Sequence, residues 1–243
     1  MRLDKALTYG MVTRSEAKKL LRSGCVTVNG KSEKDGGKAV SASDDIRVSG
    51  EKIVIRLHTH IMMNKPAGVL TATEDKHGET TVLDLIGSDV RTKDLGPIGR
   101  LDKDVTGLVI LTDDGQLAHH LISPKWDVEK IYEAKAEGKL DEAACAMFET
   151  GMDLGDFTAL PARLEITGAD EEYSLCRVYI HEGKFHQVKR MLENTGHPCL
   201  ALRRVCIAGV KLDETLPEGA YRYLTHEEEQ LLYAAAELDV EHE

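Results

Sequence analysis

The 243-residue chain is poor in aromatics, with one Trp and three Phe. No apolar run approaches the roughly 18–20 residues that span a bilayer. The opening MRLDKALTYG carries charge where a secretory signal carries an apolar stretch, so a cytoplasmic protein is expected. The five Cys (Cys25, Cys145, Cys176, Cys199, Cys206) are odd in number and include no C-x-x-C pair. They read as reduced thiols, not a disulfide framework or a zinc site. Cys176 falls on the apolar face of a strand pattern, and Cys199 and Cys206 fall in strand-like runs, so all three read as core. H-E-x-x-H, G-x-G-x-x-G, the P-loop pattern and G-x-S-x-G are all missing. His119 and His120 are adjacent and cannot face one way on a helix. Neither a metal nor a nucleotide cofactor is expected.

The net charge of −11 argues mildly against a polyanionic partner, but the average hides an asymmetry. Residues 1–56 hold 12 Lys and Arg against 7 Asp and Glu, a balance of +5, and residues 57–243 carry −16. A basic N-terminal module on an acidic body suggests that the first part contacts a polyanion.

The organisation follows from local patterns. Thr13 and Glu16 fit a capping box before a helix. On that helix Ala17, Leu20 and Leu21 share one face, and Arg14, Lys18 and Arg22 repeat on another with Lys19 beside them. Gly24 can stop it. CVTVNG alternates as a strand and closes on the turn pair Asn29-Gly30, and DDIRV reads as a second strand. The basic module ends near residues 49–60. HIMMNKPAGVLTAT reads as two extended pieces broken at Lys65-Pro66 and Gly68. Further strands are expected at GLVILT, KIYEAKAEG, PARLEITG, SLCRVYIHEG and LALRRVCIAGVKL. Helices are expected at QLAHHLIS, LDEAACAMFETG and KFHQVKRMLENTG, and a last one capped by Thr225 and Glu228. Strands and helices do not alternate strictly, which favours an α+β fold with a mixed or largely antiparallel sheet.

With cofactor chemistry set aside, GRLDKDVTGL draws attention. It places Asp102 and Asp104 among Arg100 and Lys103, ahead of an apolar strand. A carboxylate can be a covalent nucleophile. To stay ionised while partly buried it needs a nearby cation, and Arg100 and Lys189 are the types available. The pattern alone favours surface ion pairs over a nucleophile for Asp102. A glycosidase would want a second acid at a defined separation, which Asp104 does not supply.

Four stretches carry a resemblance. RLDKALTYGMVTRSEAKKLLRSGCVTVNGK resembles an S4 RNA-binding domain. NKPAGVLTA, GRLDKDVTGLVILTDDG and EGKFHQVKRML are similar, in that order, to the three motifs of the RsuA-type pseudouridine synthases. Together they cover the chain to about residue 226. The resemblance implies a small, αL-like S4 domain over 1–56. It implies a pseudouridine synthase catalytic domain over 60–243, with a mixed, mostly antiparallel sheet flanked by helices. It implies an RNA uridine isomerase without cofactor, in which Asp102 is the catalytic carboxylate and Tyr132 packs against the target base. Lys189 would ion-pair with Asp102, and Leu202 would lie under the base. Arg100 and, less directly, Arg190 would contact the nucleotide. Arg14, Ser15, Lys18, Lys19 and Arg22 would bind RNA. Asp104 is expected to be an ordinary loop carboxylate with no role and no partner.

HQVKRM looks more like the 16S rRNA pseudouridine(516) synthases than their large-subunit relatives. The implied partner is ribosomal RNA, free or within a small-subunit assembly intermediate, acted on by a monomer. A 23S rRNA enzyme is the alternative, followed by a non-catalytic S4 protein of ribosome assembly.

Overall fold

The computed structural model describes residues 2–9, 14–41, 44–53, 58–88, 90 and 92–239. They fall into two compact units. One holds the chain up to Thr59 together with Gly87, Ser88 and Val90; the other holds His60–Ile86 and Thr92–Asp239.

In the first unit, helices α1 (Leu3–Tyr9) and α2 (Arg14–Ser23) accompany a four-stranded sheet of β1 (Val26–Val28), β2 (Lys31–Ser32), β3 (Ile46–Val48) and β4 (Glu51–Lys52), in the order β2-β1-β3-β4. Leu3, Leu7, Ala17, Leu21, Val26 and Ile46 form its core. Thr13 of the expected capping box lies outside the described residues. Asn29 (φ 51°) and Gly30 (φ 76°) make the tight turn between β1 and β2, as the left-handed pair of a hairpin turn requires. The Asn29 amide also donates to Asp44 at 2.7 Å, and its carbonyl oxygen accepts from the Asp45 backbone at 2.9 Å, tying the turn to the entry of β3.

The second unit is built on nine strands: β5 (His60–Lys65), β6 (Gly96–Pro97), β7 (Thr106–Thr112), β8 (Lys130–Glu137), β11 (Arg163–Ala169), β12 (Tyr173–Ile180), β13 (Cys199–Ile207), β14 (Val210–Lys211) and β15 (Tyr221–Tyr223). Its path is β11-β12-β8-β13-β7-β5-β15, with β14 on β13 and β6 on β7. A hairpin of β9 (Met152–Asp153) and β10 (Thr158–Ala159) stands apart. The helices are α3 (Gly115–Ile122), α4 (Glu142–Thr150), α5 (Gln187–Asn194) and α6 (His226–Ala235).

All strand pairings on this path are antiparallel except β7 with β13, which is parallel. The expected mixed, mostly antiparallel sheet is what forms. Strands β5 and β7 are buried along nearly their whole length, as befits central strands covered on both faces. Strand β12 alternates, with Cys176, Val178 and Ile180 inside and Leu175 and Arg177 outside.

The helix ends follow their sequence signals. Asp114 caps α3 through the amides of Gln116 and Leu117 and also accepts from the Tyr233 hydroxyl at 2.7 Å. Thr225 and Glu228 complete a capping box on α6. One expected helix is shorter than its pattern. In KFHQVKRMLENTG, α5 begins at Gln187, because His186 takes a left-handed conformation (φ 51°, ψ 26°) at its N-cap. No described helix is long and apolar enough to cross a membrane.

Gly107 sits where the parallel strands meet. Its φ is +100°, and a Cβ there would lie 2.2 Å from the Arg204 carbonyl oxygen. Gly107→Ala is therefore expected to lower the unfolding free energy by about 3 kcal/mol, read from urea denaturation. Gly115→Ala, with open space at the same atom, is expected to leave stability unchanged or slightly raised.

Candidate active site

The loop between β6 and β7 carries Asp102 and is held from below by the segment after β5. The Lys65 side chain is fully buried. Its ammonium donates to the carbonyls of Val105 at 2.7 Å, Pro66 at 3.0 Å and Lys103 at 3.2 Å. The Gly68 amide donates to the Lys103 carbonyl at 2.8 Å. The Thr71 hydroxyl donates to the Leu101 carbonyl at 2.8 Å and accepts from the Leu101 amide at 3.2 Å. NKPAGVLT is thus a clamp on the loop rather than a mere break in a strand.

On the loop, Asp102 meets Lys189 of α5 at 3.0 Å, with His186 Nε2 at 3.5 Å from its other oxygen. A cleft open to solvent lies in front of Asp102. Tyr132 from β8 and Leu202 from β13 line it, with Arg100 and Val105 from the loop side. Strands β8 and β13 pair so that Leu202 stands opposite Ala134 and Arg204 opposite Tyr132. The side chains of these pairs share a sheet face, which sets tyrosine and leucine side by side.

Asp104 departs from its expectation. Lys189 donates to both of its oxygens, at 2.8 and 2.9 Å, so it is no unpartnered loop carboxylate. The loop turns at Lys103-Asp104, with the Val105 amide bonded to the Asp102 carbonyl at 3.1 Å. That turn brings both acids to one ammonium. Burial pulls the Lys189 ammonium down, but its bonds to Asp104 and Asp102 outweigh burial and hold its pKa above the ordinary value. The bond from Lys189 holds Asp104 below the usual carboxylate range.

Arg190 is not brought to the cleft. Its guanidinium binds Asp156 and the Leu154 carbonyl and lies over the Phe157 ring, fastening the β9–β10 hairpin to α5. One residue of helix, a rotation of about 100°, separates the two functions: Lys189 faces the loop and Arg190 the hairpin. In the first unit Ser15, Lys18, Lys19 and Arg22 are exposed on α2; the Arg14 side chain lies outside the described set. Among the described residues no group of three His, Cys, Asp or Glu is placed to hold a metal ion.

Two residues at the site went unassigned in the sequence. His186 was hidden because the helical pattern enclosed it. Lys65 had a signal, a lysine closing the apolar run HIMMNK, which a buried strand does not carry without a use. Under the cleft, Arg204 is buried as well; its Nε donates to the Leu108 carbonyl at 2.9 Å, and its Nη2 has no partner among the described residues.

A model of RNA pseudouridylate synthases matches residues 59–194, and an S4 domain model matches residues 1–46. The chain belongs to the RNA pseudouridylate synthases. It is 41% identical to ribosomal small subunit pseudouridine synthase A of Vibrio cholerae, over 94% of this chain and 97% of that one. It is 35% identical to ribosomal large subunit pseudouridine synthase B of Bacillus subtilis, over 97% of both. A solved pseudouridylate synthase is 36% identical and superposes with a TM-score of 0.66, covering 96% of this chain and 99% of that chain. These matches agree with the RsuA-type resemblance. The enzyme is an isomerase acting on uridine in RNA.

Burial lowers the Lys65 pKa from 10.5 to about 8, with Asp104 and Asp102 opposing the shift. The folded value lies below the unfolded one, so between these two pH values the unfolded chain binds more protons. Stability from this group is therefore lowest below about pH 8 and rises toward pH 10.5. Wild type is expected to gain about 2 kcal/mol more than Lys65→Met between about pH 7.5 and about pH 9.5, measured by urea unfolding at each pH.

Proposed function

We propose that the protein converts one uridine of 16S rRNA, the 516-type position, into pseudouridine. Asp102 is the group that attacks the nucleoside. The observation that carries this reading is the Asp102–Lys189 pair at 3.0 Å, at the mouth of a cleft lined by Tyr132 and Leu202.

The reaction breaks the N1–C1′ bond, turns the base, and joins C5 to C1′. All heavy atoms stay within the nucleotide; the C5 hydrogen leaves to solvent as a proton, N1 takes one up, and no electrons are exchanged with an outside reagent. The protein must therefore supply only a held base, a held sugar and one carboxylate. Asp102 either adds to C1′ or removes a sugar proton to give a glycal; both routes begin from the ionised carboxylate. Lys189 offsets the repulsion between that carboxylate and the RNA backbone. A uridine in structured RNA must first leave its stack. Tyr132 then packs on the freed base, Leu202 lies beneath it, and Arg100, exposed on the rim, meets phosphate.

The small-subunit target is supported by HQVK, which places both His186 and Lys189 against Asp102, and by the higher identity to the small-subunit relative. A 23S uridine is the second reading, favoured by the large-subunit relative of the same length. Residues 1–56 serve as the RNA-docking domain and residues 60–243 as the catalytic domain. The catalytic part is acidic, so phosphate contact concentrates on the exposed stripe of α2, and RNA shape supplies selectivity.

Transcripts of 16S and 23S rRNA labelled with tritium at uridine C5 test the chemistry, because forming the C5–C1′ bond releases the label. Wild type is expected to release one equivalent from 16S and none from 23S. Asp102→Asn is expected to lose at least about a thousandfold in rate, on the scale of removing a covalent catalytic group. Full retained activity in that variant would remove Asp102 from its role.

A second experiment addresses docking. The triple variant of Lys18, Lys19 and Arg22 to Ala is expected to bind 16S rRNA more weakly and with a flatter dependence of log Kd on log salt, by about two to three units of slope. An unchanged slope excludes α2 as the phosphate-binding face.

A further inference from the structure

Phe185 is the most exposed large apolar side chain among the described residues, at 69%, in a chain with only three Phe. Its ring is stacked on His186, with centroids 3.8 Å apart and planes 18° from parallel. The other edge of His186 is the one that faces Asp102 at 3.5 Å. One face of Phe185 is therefore covered by an imidazole at the reaction centre, and the opposite face is open to solvent.

The turn that presents this ring is tied on both sides. Glu182 is buried and accepts from the Leu160 amide and from Gln187 Nε2, both at 2.8 Å. The Lys184 amide donates to Gln187 Oε1 at 3.1 Å, and the Gln187 amide donates to the Lys184 carbonyl at the same distance. The Lys184 ammonium donates to the Thr158 carbonyl at 3.2 Å. The ring is thus held at a fixed place, yet buries little of its own surface there. Folding gains little from an apolar side chain left in water, so a use outside the fold accounts for it better.

We propose that Phe185 is a stacking platform for the nucleobase next to the target uridine, a role that rests on the RNA uridine isomerisation proposed above. When the target base leaves its helix, its neighbour loses a stacking partner and exposes a π-face. Docking that face on Phe185 makes a continuous base–phenyl–imidazole stack ending at Asp102. Arg100, exposed and lining the cleft, is placed to take a phosphate beside such a base. Stacking on an aromatic ring tolerates any base, so Phe185 contributes affinity and placement, while the target's identity is read inside the cleft. Phe185 is a substrate-positioning residue, with no part in bond making.

Steady-state tritium release from the 16S and 23S transcripts separates these roles. Phe185→Ala and Phe185→Leu are each expected to raise KM about tenfold, the size of one lost base–aromatic stack. In both, kcat should stay within about twofold of wild type, and Phe185→Trp should return KM to near the wild-type value. Leucine keeps apolar bulk without a π-face, so a Phe185→Leu enzyme with wild-type KM overturns the platform. So does an unchanged KM in Phe185→Ala, or a failure of Phe185→Trp to restore it.

A binding measurement needs no turnover. The emission that Phe185→Trp adds above that of Trp126 is expected to be quenched by the bound transcript, and no quenching likewise overturns the proposal. If wild type turns over neither transcript, the functional reading fails, and the quenching measurement still decides on the platform.

Discussion

The Asp102 loop depends on one buried ammonium group. Two carbonyl oxygens of the Asp102 loop, those of Lys103 and Val105, converge on Lys65 with that of Pro66, and each takes one of its three protons. A loop of this kind otherwise leaves inward-facing carbonyls unpaired in a dry interior, which costs about 1–3 kcal/mol apiece. The lysine satisfies them together, at the expense of burying a charge. The depressed pKa of Lys65 is the measure of that expense. Because its partners are backbone atoms, the clamp fixes the path of the loop and leaves the Asp102 side chain to its contacts with Lys189 and His186. The Thr71 hydroxyl does the same on the other side of Leu101.

Above that clamp the charges are arranged as a competition. Lys189 is shared by two carboxylates, and its shorter contacts are to Asp104, the more exposed of the two. Exposed pairs are weak, so Asp104 orients the ammonium without binding it so tightly that Asp102 is deprived of it. His186 approaches the remaining oxygen of Asp102. The Asp102 carboxylate is therefore flanked on both oxygens, while its neighbour two residues away serves as a tether. Lys65 adds positive charge near Asp104 and Asp102, in a unit whose overall balance is acidic.

Much of this could be read in the chain. Period-two alternation marked β8 and β12, Asn29-Gly30 marked its turn, and the Thr225–Glu228 pair marked α6, because each is a local rule with a local cause. The Asp102–Lys189 pair came from motif resemblance, since no periodicity joins residues so distant in sequence. What stayed hidden was set by dihedral choices and three-dimensional approach. His186 lay inside a helical pattern that its left-handed backbone cuts short. Asp104 looked partnerless because its cation arrives from α5. Arg190 looked like a second active-site cation, but one step along the helix rotates it toward Asp156 and the hairpin.

The parallel pairing of β7 with β13 has a consequence for how the enzyme comes into being. Asp102 precedes one of these strands and Leu202 lies on the other, with Lys189 on the helix just before it. A nascent polypeptide holds its carboxylate long before it holds the leucine, and the two meet only when residues near Gly107 and Arg204 pair. Such distant pairing is slow compared with local helix or hairpin formation. The short N-terminal module, whose core is closed by residues near one another in the chain, has no such delay. A chain emerging in order therefore has its N-terminal module folded while the cleft around Asp102 is still unassembled.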